Sequence, residues 1–245
     1  MSAWLAPSSR LGLAGYEVHV WRASLDLSEE CWKELGRLLS ADEQTRASRY
    51  RFDRPAHTFI VARGVLRLIL SRYLGTDPQQ LQFRCNPHGK PELADPRQSW
   101  LRFSVAHSGD WAVYALACGR SVGIDLEAAH RTVDMDLVVA QCFSPTEQLA
   151  FTRLPPGQQP EGFFRAWTRK EAYVKARGTG FNLPPNLFSV SLAPDTRPEL
   201  LNAEGDAAGA EMWSILDVEV APGYKAALAV PGPAEPLLRY SWQAS

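Results

Sequence analysis

The spacing of hydrophobic and polar positions along the chain changes period several times, and each change predicts an element. Glu17-Val18-His19-Val20-Trp21 alternates with a period of two and predicts a strand. Residues 29–39 follow a helical period, and Ser40 with Glu43 forms a capping box that starts a second helix. A longer helix is predicted from Ala56 to Tyr73, ended near Gly75. Strand-like runs come at 81–84, 101–106, 111–118 and 121–127. Ser144-Pro145-Thr146-Glu147 is another helix start, with proline at the first helical position. Leu154-Pro155-Pro156-Gly157 reads as a loop before a long helix carrying Phe163, Phe164, Trp167, Tyr173 and Val174, with Gly178 as its stop. Strand signals return at 187–192, 212–220 and 224–230, while residues 193–210, rich in Ala, Pro, Glu, Asp and Gly, predict a surface excursion. Each half of the chain thus has a helical portion and several strands, which predicts the α+β class. No low-complexity tract or short-period repeat interrupts the pattern.

Composition narrows the function classes. The chain has 245 residues, 45% hydrophobic and 22% charged, which is globular material with enough core for one domain or two. A formal net charge of −1 argues against a nucleic-acid partner. Cys31, Cys85, Cys118 and Cys142 show no C-x-x-C spacing, so neither a zinc site nor a disulfide framework is expected. The N-terminus lacks a charged start followed by an apolar run, being interrupted by Ser8, Ser9 and Arg10, and no apolar stretch approaches membrane-spanning length. A cytoplasmic protein in a reducing compartment, without membrane contact, is the expectation.

Two segments carry the candidate chemistry. In Gly123-Ile124-Asp125-Leu126-Glu127 the alternation of a strand points Asp125 and Glu127 the same way, about 6.6 Å apart along the backbone. In Trp167-Thr168-Arg169-Lys170-Glu171-Ala172-Tyr173-Val174-Lys175 a helix places Glu171 and Lys175 on one face. Three carboxylates can hold one hard divalent cation, Mg²⁺ being the natural candidate, and a lysine beside it would neutralise a phosphate. The plainer alternatives are a solvated strand face and a surface Glu–Lys pair. The aromatic flanks favour a packed helix over a peripheral one. His107-Ser108 is no hydrolase dyad, because adjacent strand residues face opposite ways and no G-x-S-x-G elbow is present.

Together with Gly89-Lys90-Pro91 and Phe103-Ser104-Val105-Ala106-His107-Ser108-Gly109-Asp110, these segments resemble the larger, Sfp-like class of 4′-phosphopantetheinyl transferases. The resemblance has four blocks in the family's order and spans residues 40 to 192. It implies transfer of 4′-phosphopantetheine from coenzyme A to a serine of an apo acyl or peptidyl carrier protein, with release of adenosine 3′,5′-bisphosphate. By similarity, Asp125, Glu127 and Glu171 would hold Mg²⁺ against the pyrophosphate, and Glu171, or a metal-bound water near it, would take the proton of the serine hydroxyl. Lys175 and His107 would contact the pyrophosphate end, and Gly89, Lys90 and Pro91 the nucleotide part. In the basic stretch Arg46, Arg49, Arg51, Arg54, Arg63 and Arg67, the positions of Arg46 and Arg63 match those where the family often carries a basic residue near the 3′-phosphate, a role that suits a guanidinium fork. Ser104 stands where the family most often has Asn, and Ala106 where it has Ser, so any contact of Ala106 with coenzyme A is left to its backbone. The resemblance further implies two similarly folded halves, 1–120 and 121–245, related by a pseudo-twofold with the active site in the cleft between them, and a monomeric enzyme. A phosphohydrolase of nucleotide pyrophosphates and a non-catalytic coenzyme A or carrier-binding protein are the competing functions.

Overall fold

A computed structural model describes residues 4–8, 11–203 and 209–244, so Ser9, Arg10 and the stretch 204–208 lie outside the described residues. The first half runs β1 (Val18–Ser24), α1 (Glu29–Arg37), α2 (Ala41–Ser48), α3 (Asp53–Leu74), the hairpin β2 (Phe83–Cys85) and β3 (Pro91–Leu93), then β4 (Leu101–Ser108) and β5 (Trp111–Cys118). The second runs β6 (Gly123–Ala128), α4 (Met135–Cys142), α5 (Pro145–Thr152), α6 (Gln159–Arg177), the hairpin β7 (Phe188–Val190) and β8 (Leu200–Ala203), then β9 (Trp213–Asp217), β10 (Tyr224–Pro231) and β11 (Leu237–Ser241).

The halves repeat one plan. In the first sheet β5 lies between β1 and β4, and in the second β10 lies between β6 and β9, every pair antiparallel. The long helices α3 and α6 each end at a glycine in the left-handed conformation, Gly75 at φ 64° and Gly178 at φ 65°. Strand β11 crosses back to the first sheet and pairs parallel with β1, from Val18 opposite Leu237 to Arg22 opposite Ser241. The class is α+β with two like halves.

One polar device recurs in both halves. The capping-box glutamates Glu43 and Glu147 are buried, and each meets a buried cation on the long helix of its own half. Arg67 Nε donates to Glu43 at 2.8 Å while its Nη1 donates to the carbonyls of Pro78 and Leu81. Lys170 Nζ donates to both oxygens of Glu147, at 2.8 and 2.6 Å, and to the Phe188 carbonyl at 2.7 Å. Each cation also lies over the first ring of the following hairpin, Phe83 at 5.1 Å and Phe188 at 4.4 Å. A buried charge is tolerated when it is paired, and both cations are, Arg67 also through a 2.7 Å ion contact of Nη2 with Glu43.

Among the described residues three apolar clusters fill the interior. Trp21, Val65, Ile69 and Tyr114 lead the one under the first sheet, and Phe143, Phe163, Tyr173 and Phe188 the one around α6. The third, with Val20, Val113, Ile124 and Leu228, lies between the sheets and joins the halves. Four elements were not signalled by the pattern: β3, α4, β8 and β11. The segment expected as a surface excursion contains β8, whose Leu200 is 7% exposed because it belongs to the α6 cluster. Among the described residues no helix is long and apolar enough to cross a membrane.

Candidate active site

The candidate site forms where the second half's first strand meets its long helix. Gly123, which opens β6, makes that meeting possible. A Cβ there would stand 2.0 Å from the Ala172 carbonyl oxygen and 2.4 Å from the Ala176 amide, so only glycine lets the two backbones approach. Alternation along β6 then sends Ile124 and Leu126 into the inter-sheet core and leaves Asp125 and Glu127 on the other face.

Asp125 is 5% exposed, and its Oδ1 accepts a 2.6 Å ion pair from Lys175. Lys175 therefore reaches across to the strand, not to Glu171 one helical turn away. The other Asp125 oxygen, Oδ2, is buried and has no hydrogen-bond partner among the described residues. Glu127 is held on both oxygens. Its Oε2 accepts from Ser108 Oγ at 3.1 Å and Arg131 Nη1 at 3.0 Å, and its Oε1 accepts from Trp167 Nε1 at 3.3 Å. Burial raises the Glu171 pKa, and the charges of Asp125 and Glu127 add to the rise against the opposing effect of Lys175. Burial and then Asp125 likewise raise that of Glu127, opposed by Arg131, Ser108 and Trp167. The three carboxylates thus feel one another's charge, which is the condition a cation would relieve.

The donor set is all oxygen, and Asp125 keeps one buried oxygen free, so its chemistry fits a hard cation such as Mg²⁺. Among the described residues no three acidic, histidine or cysteine side chains already stand as a ligand cage. Lys175 holds one oxygen of Asp125, while Ser108, Arg131 and Trp167 hold Glu127.

Two cavities open beside these groups. One, of about 400 Å³, is lined by Glu171, Lys175 and Lys90 together with Phe103, Trp167 and Leu183. A second, of about 250 Å³, is lined by Arg46, Arg63, His107 and Cys85. Gly89, Pro91 and Val105 line both, so the two share a wall. Arg63 is fixed by a 3.4 Å contact from Nε to Glu43, while its Nη1 is buried and has no hydrogen-bond partner among the described residues. Burial lowers its pKa, and the Arg46 and Arg67 charges lower it further against the pull of Glu43. An anion in this cavity would satisfy that donor. Arg46 lies over the Phe59 ring at 4.9 Å, exposed at the cavity mouth. His107 stands in the same wall, accessible to solvent, and the surrounding protein and then the Lys175 charge lower its pKa.

The remaining predicted residues fall in different places. Ala106 is buried in the inter-sheet core, so its side chain points away from both cavities. Gly89, at φ 87°, permits the turn in which Asn86 Oδ1 accepts from the amides of His88 and Lys90. The turn docks on the end of α6, where Asn86 Nδ2 donates to the Gly178 carbonyl at 2.8 Å. Lys90 Nζ donates to the carbonyls of Lys175 at 2.7 Å and Val122 at 2.9 Å, which ties the first half's hairpin to the second half's strand and helix. Burial drops its pKa to about 8.

Comparison with known proteins decides the family. Two family models match in succession, "4'-phosphopantetheinyl transferase, N-terminal" over residues 21–119 and "4'-phosphopantetheinyl transferase superfamily" over residues 121–229. The 4'-phosphopantetheinyl transferase HetI of Nostoc sp. is 37% identical over 241 residues, covering 98% of this chain and 95% of that relative. The chain belongs to the 4′-phosphopantetheinyl transferase family. It falls in the larger, Sfp-like class: Sfp of Bacillus subtilis is 28% identical over 208 residues, covering 84% of this chain and 88% of Sfp. The protein is accordingly an enzyme that transfers the phosphopantetheine group.

Sequence reasoning gave Ser108, Trp167, Arg131, Asn86 and Lys170 no role in the site. Asn86-Pro87-His88-Gly89 does carry a turn signature that pointed to Asn86. Lys170, inside the transferase motif, sits next to Glu171 and is buried against Glu147, so it anchors the helix that presents the carboxylate.

Proposed function

We propose that this transferase moves 4′-phosphopantetheine from coenzyme A to a serine hydroxyl of an apo acyl or peptidyl carrier protein and releases adenosine 3′,5′-bisphosphate. The observation that carries the reading is the convergence, along one wall, of three mutually repelling carboxylates, Lys175 and the arginine-lined cavity. A pyrophosphate linked to a separate 3′-phosphate needs cations at two separated places, and the site has them.

The serine oxygen attacks the phosphorus on the pantetheine side of the pyrophosphate, and the bond to the bridging oxygen breaks toward the adenosine side. Glu171 accepts the serine proton. Burial and then the Asp125 charge raise its pKa in the metal-free protein, and Mg²⁺ held beside it would lower it again, leaving an ionised carboxylate to accept the proton. Lys175 neutralises charge on the pyrophosphate, and Arg63 with Arg46 holds the 3′-phosphate. Asp125, Glu127 and Glu171 are the residues that would hold Mg²⁺, which when bound supplies charge neutralisation at the pyrophosphate.

Incubation with coenzyme A, Mg²⁺ and an apo-carrier, followed by mass spectrometry, tests the reaction. A carrier heavier by one phosphopantetheine is expected. Cleavage of coenzyme A without carrier modification would make the protein a phosphohydrolase, and no change in either would leave a binding protein. Arg46→Ala should weaken coenzyme A about ten- to a hundredfold yet spare 3′-dephospho-coenzyme A. Equal loss on both substrates places the 3′-phosphate elsewhere.

A further inference from the structure

Strand β4 of the first half and β6 of the second run side by side at the seam, and two serine hydroxyls stitch them. Ser104 Oγ accepts from the Ile124 amide at 3.1 Å, and four residues on, on the same strand face, Ser108 Oγ accepts from the Ala128 amide at 3.0 Å. There the likeness ends. Among the described residues the Ser104 oxygen answers only a backbone amide, whereas Ser108 also donates to Glu127 Oε2 at 3.1 Å. Because the Ala128 amide occupies an oxygen lone pair, the Ser108 hydrogen is directed at the carboxylate.

Glu127 is pulled from the other side by Arg131, whose Nη1 shares the same Oε2 at 3.0 Å, while Trp167 Nε1 takes Oε1. Ser108 is the only one of the three donors that belongs to the first half. We infer that Ser108 is a positioning residue: it fixes the Glu127 carboxylate from across the seam, so that the packing of the two halves sets the orientation of the third acidic group of the site. Without its hydroxyl, Oε2 is left to Arg131 and the carboxylate swings toward the guanidinium. The part of the inference that concerns the cation rests on the function proposed above.

The Trp167 indole N–H reports on the carboxylate directly. Its ¹⁵N–¹H resonance is assigned by its loss in Trp167→Phe and followed in wild type, Ser108→Ala, Ser108→Thr and Ser104→Ala. Without ligand, Ser108→Ala should move the resonance, Ser108→Thr should return it toward the wild-type position, and Ser104→Ala should lower the melting temperature without moving it. In a Mg²⁺ titration with coenzyme A present and no carrier, Ser108→Ala should weaken the apparent Mg²⁺ affinity about tenfold, the usual cost of losing a ligand's hydrogen-bond partner. Ser104→Ala should change it less than about twofold. An unmoved indole in Ser108→Ala, or equal effects from the two serines, overturns the inference. If wild type shows no Mg²⁺ dependence, the cation reading fails, and the ligand-free indole shift alone decides the role of Ser108.

Discussion

Glu147→Gln should be among the most damaging single-atom changes available in this molecule, although it lies outside both cavities. The carboxylate accepts four hydrogen bonds. Two come from Lys170, one from the Val190 amide at 2.8 Å and one from the Ser144 amide at 2.7 Å. Both side chains of the Glu147–Lys170 pair are 1% exposed, so neither can turn to water. Glutamine keeps one acceptor oxygen and sets an NH₂ donor against donors already in place. Lys170 then keeps one amide oxygen, the Phe188 carbonyl and a ring beneath it, but no opposing charge. Removing one partner of a buried pair costs about 3–5 kcal/mol, because the surviving charge is left uncompensated. For a chain of this size that lowers the melting temperature by roughly 6–20 °C. The double variant Glu147→Leu with Lys170→Met removes both charges and should be more stable than Glu147→Gln. Urea unfolding with a shared slope gives the comparison. A Glu147→Gln protein within about 1 kcal/mol of wild type, or a double variant worse than the single, would refute the account of a dry, mutually dependent pair.

Further expectations follow from the same geometry. Gly123→Ala should cost about 3 kcal/mol or more and abolish transfer, because the blocking atoms are α6 backbone that cannot step aside; a normal thermal melt would count against it. Lys90 titrates near pH 8 when folded and near 10.5 when unfolded, so between those values the unfolded chain holds more protons and stability rises with pH. The wild-type minus Lys90→Met stability difference should therefore grow from pH 8 to pH 10, and a flat difference would disprove the burial cost assigned to that ammonium. Glu171→Gln should cut turnover far more than coenzyme A binding. In the metal-free protein the Glu171 carboxyl should titrate above the ordinary glutamate range in an NMR pH titration, because burial and then the Asp125 charge raise its pKa, and added Mg²⁺ should bring it down; a metal-free titration at the usual value would refute the crowding of the three carboxylates.

How much was legible in the sequence depended on whether a residue's partner was local. Alternation placed Asp125 and Glu127 on one face of β6, and the capping box at Ser40, the helix start at Ser144 and the stops at Gly75 and Gly178 lie where the pattern put them. These signals involve residues within a turn of one another. Strand β11 pairs with β1, more than two hundred positions away in sequence, and follows a segment with Pro231, Pro233 and Pro236, so neither period nor length marked it. Helix α4 has Met135, Leu137, Val138 and Val139 almost in succession, which blurs a helical period although Asp134 caps it. Charge gave no warning of burial: Lys170 and Arg169 look like surface cations in a polar stretch, yet both are fully buried against carboxylates from elsewhere in the second half. Lys175 belonged to a helical i,i+4 pair on spacing alone, and the strand carboxylate that claims it became visible only with β6 in place.

The duplicated plan explains why the clustered carboxylates are confined to one half. Ser40 and Ser144 each begin S-x-x-E-Q, and Gly75 follows Arg67 at the same distance as Gly178 follows Lys170, so the two staples mark equivalent positions on α3 and α6. By that correspondence Glu171 answers to Leu68, and Lys175 to Arg72. Leu68 packs against the first core, and Arg72 Nη1 is spent on the Ser8 carbonyl. The strands differ in the same way. β1 turns Trp21 and Ala23, both fully buried, toward α3, where β6 offers Asp125 and Glu127 to α6. A face that carries Trp21 stabilises its half by burial, while a face that carries two repelling carboxylates forgoes that gain. The second half can bear this because its stability is anchored elsewhere, in the Glu147–Lys170 staple, the aromatic cluster around α6 and the seam to a first half with an intact core. The first half therefore acts as scaffold and wall, contributing His107, Arg63 and the Ser108 hydroxyl from its edge, and the acidic groups sit where the loss of packing is borne by the whole chain.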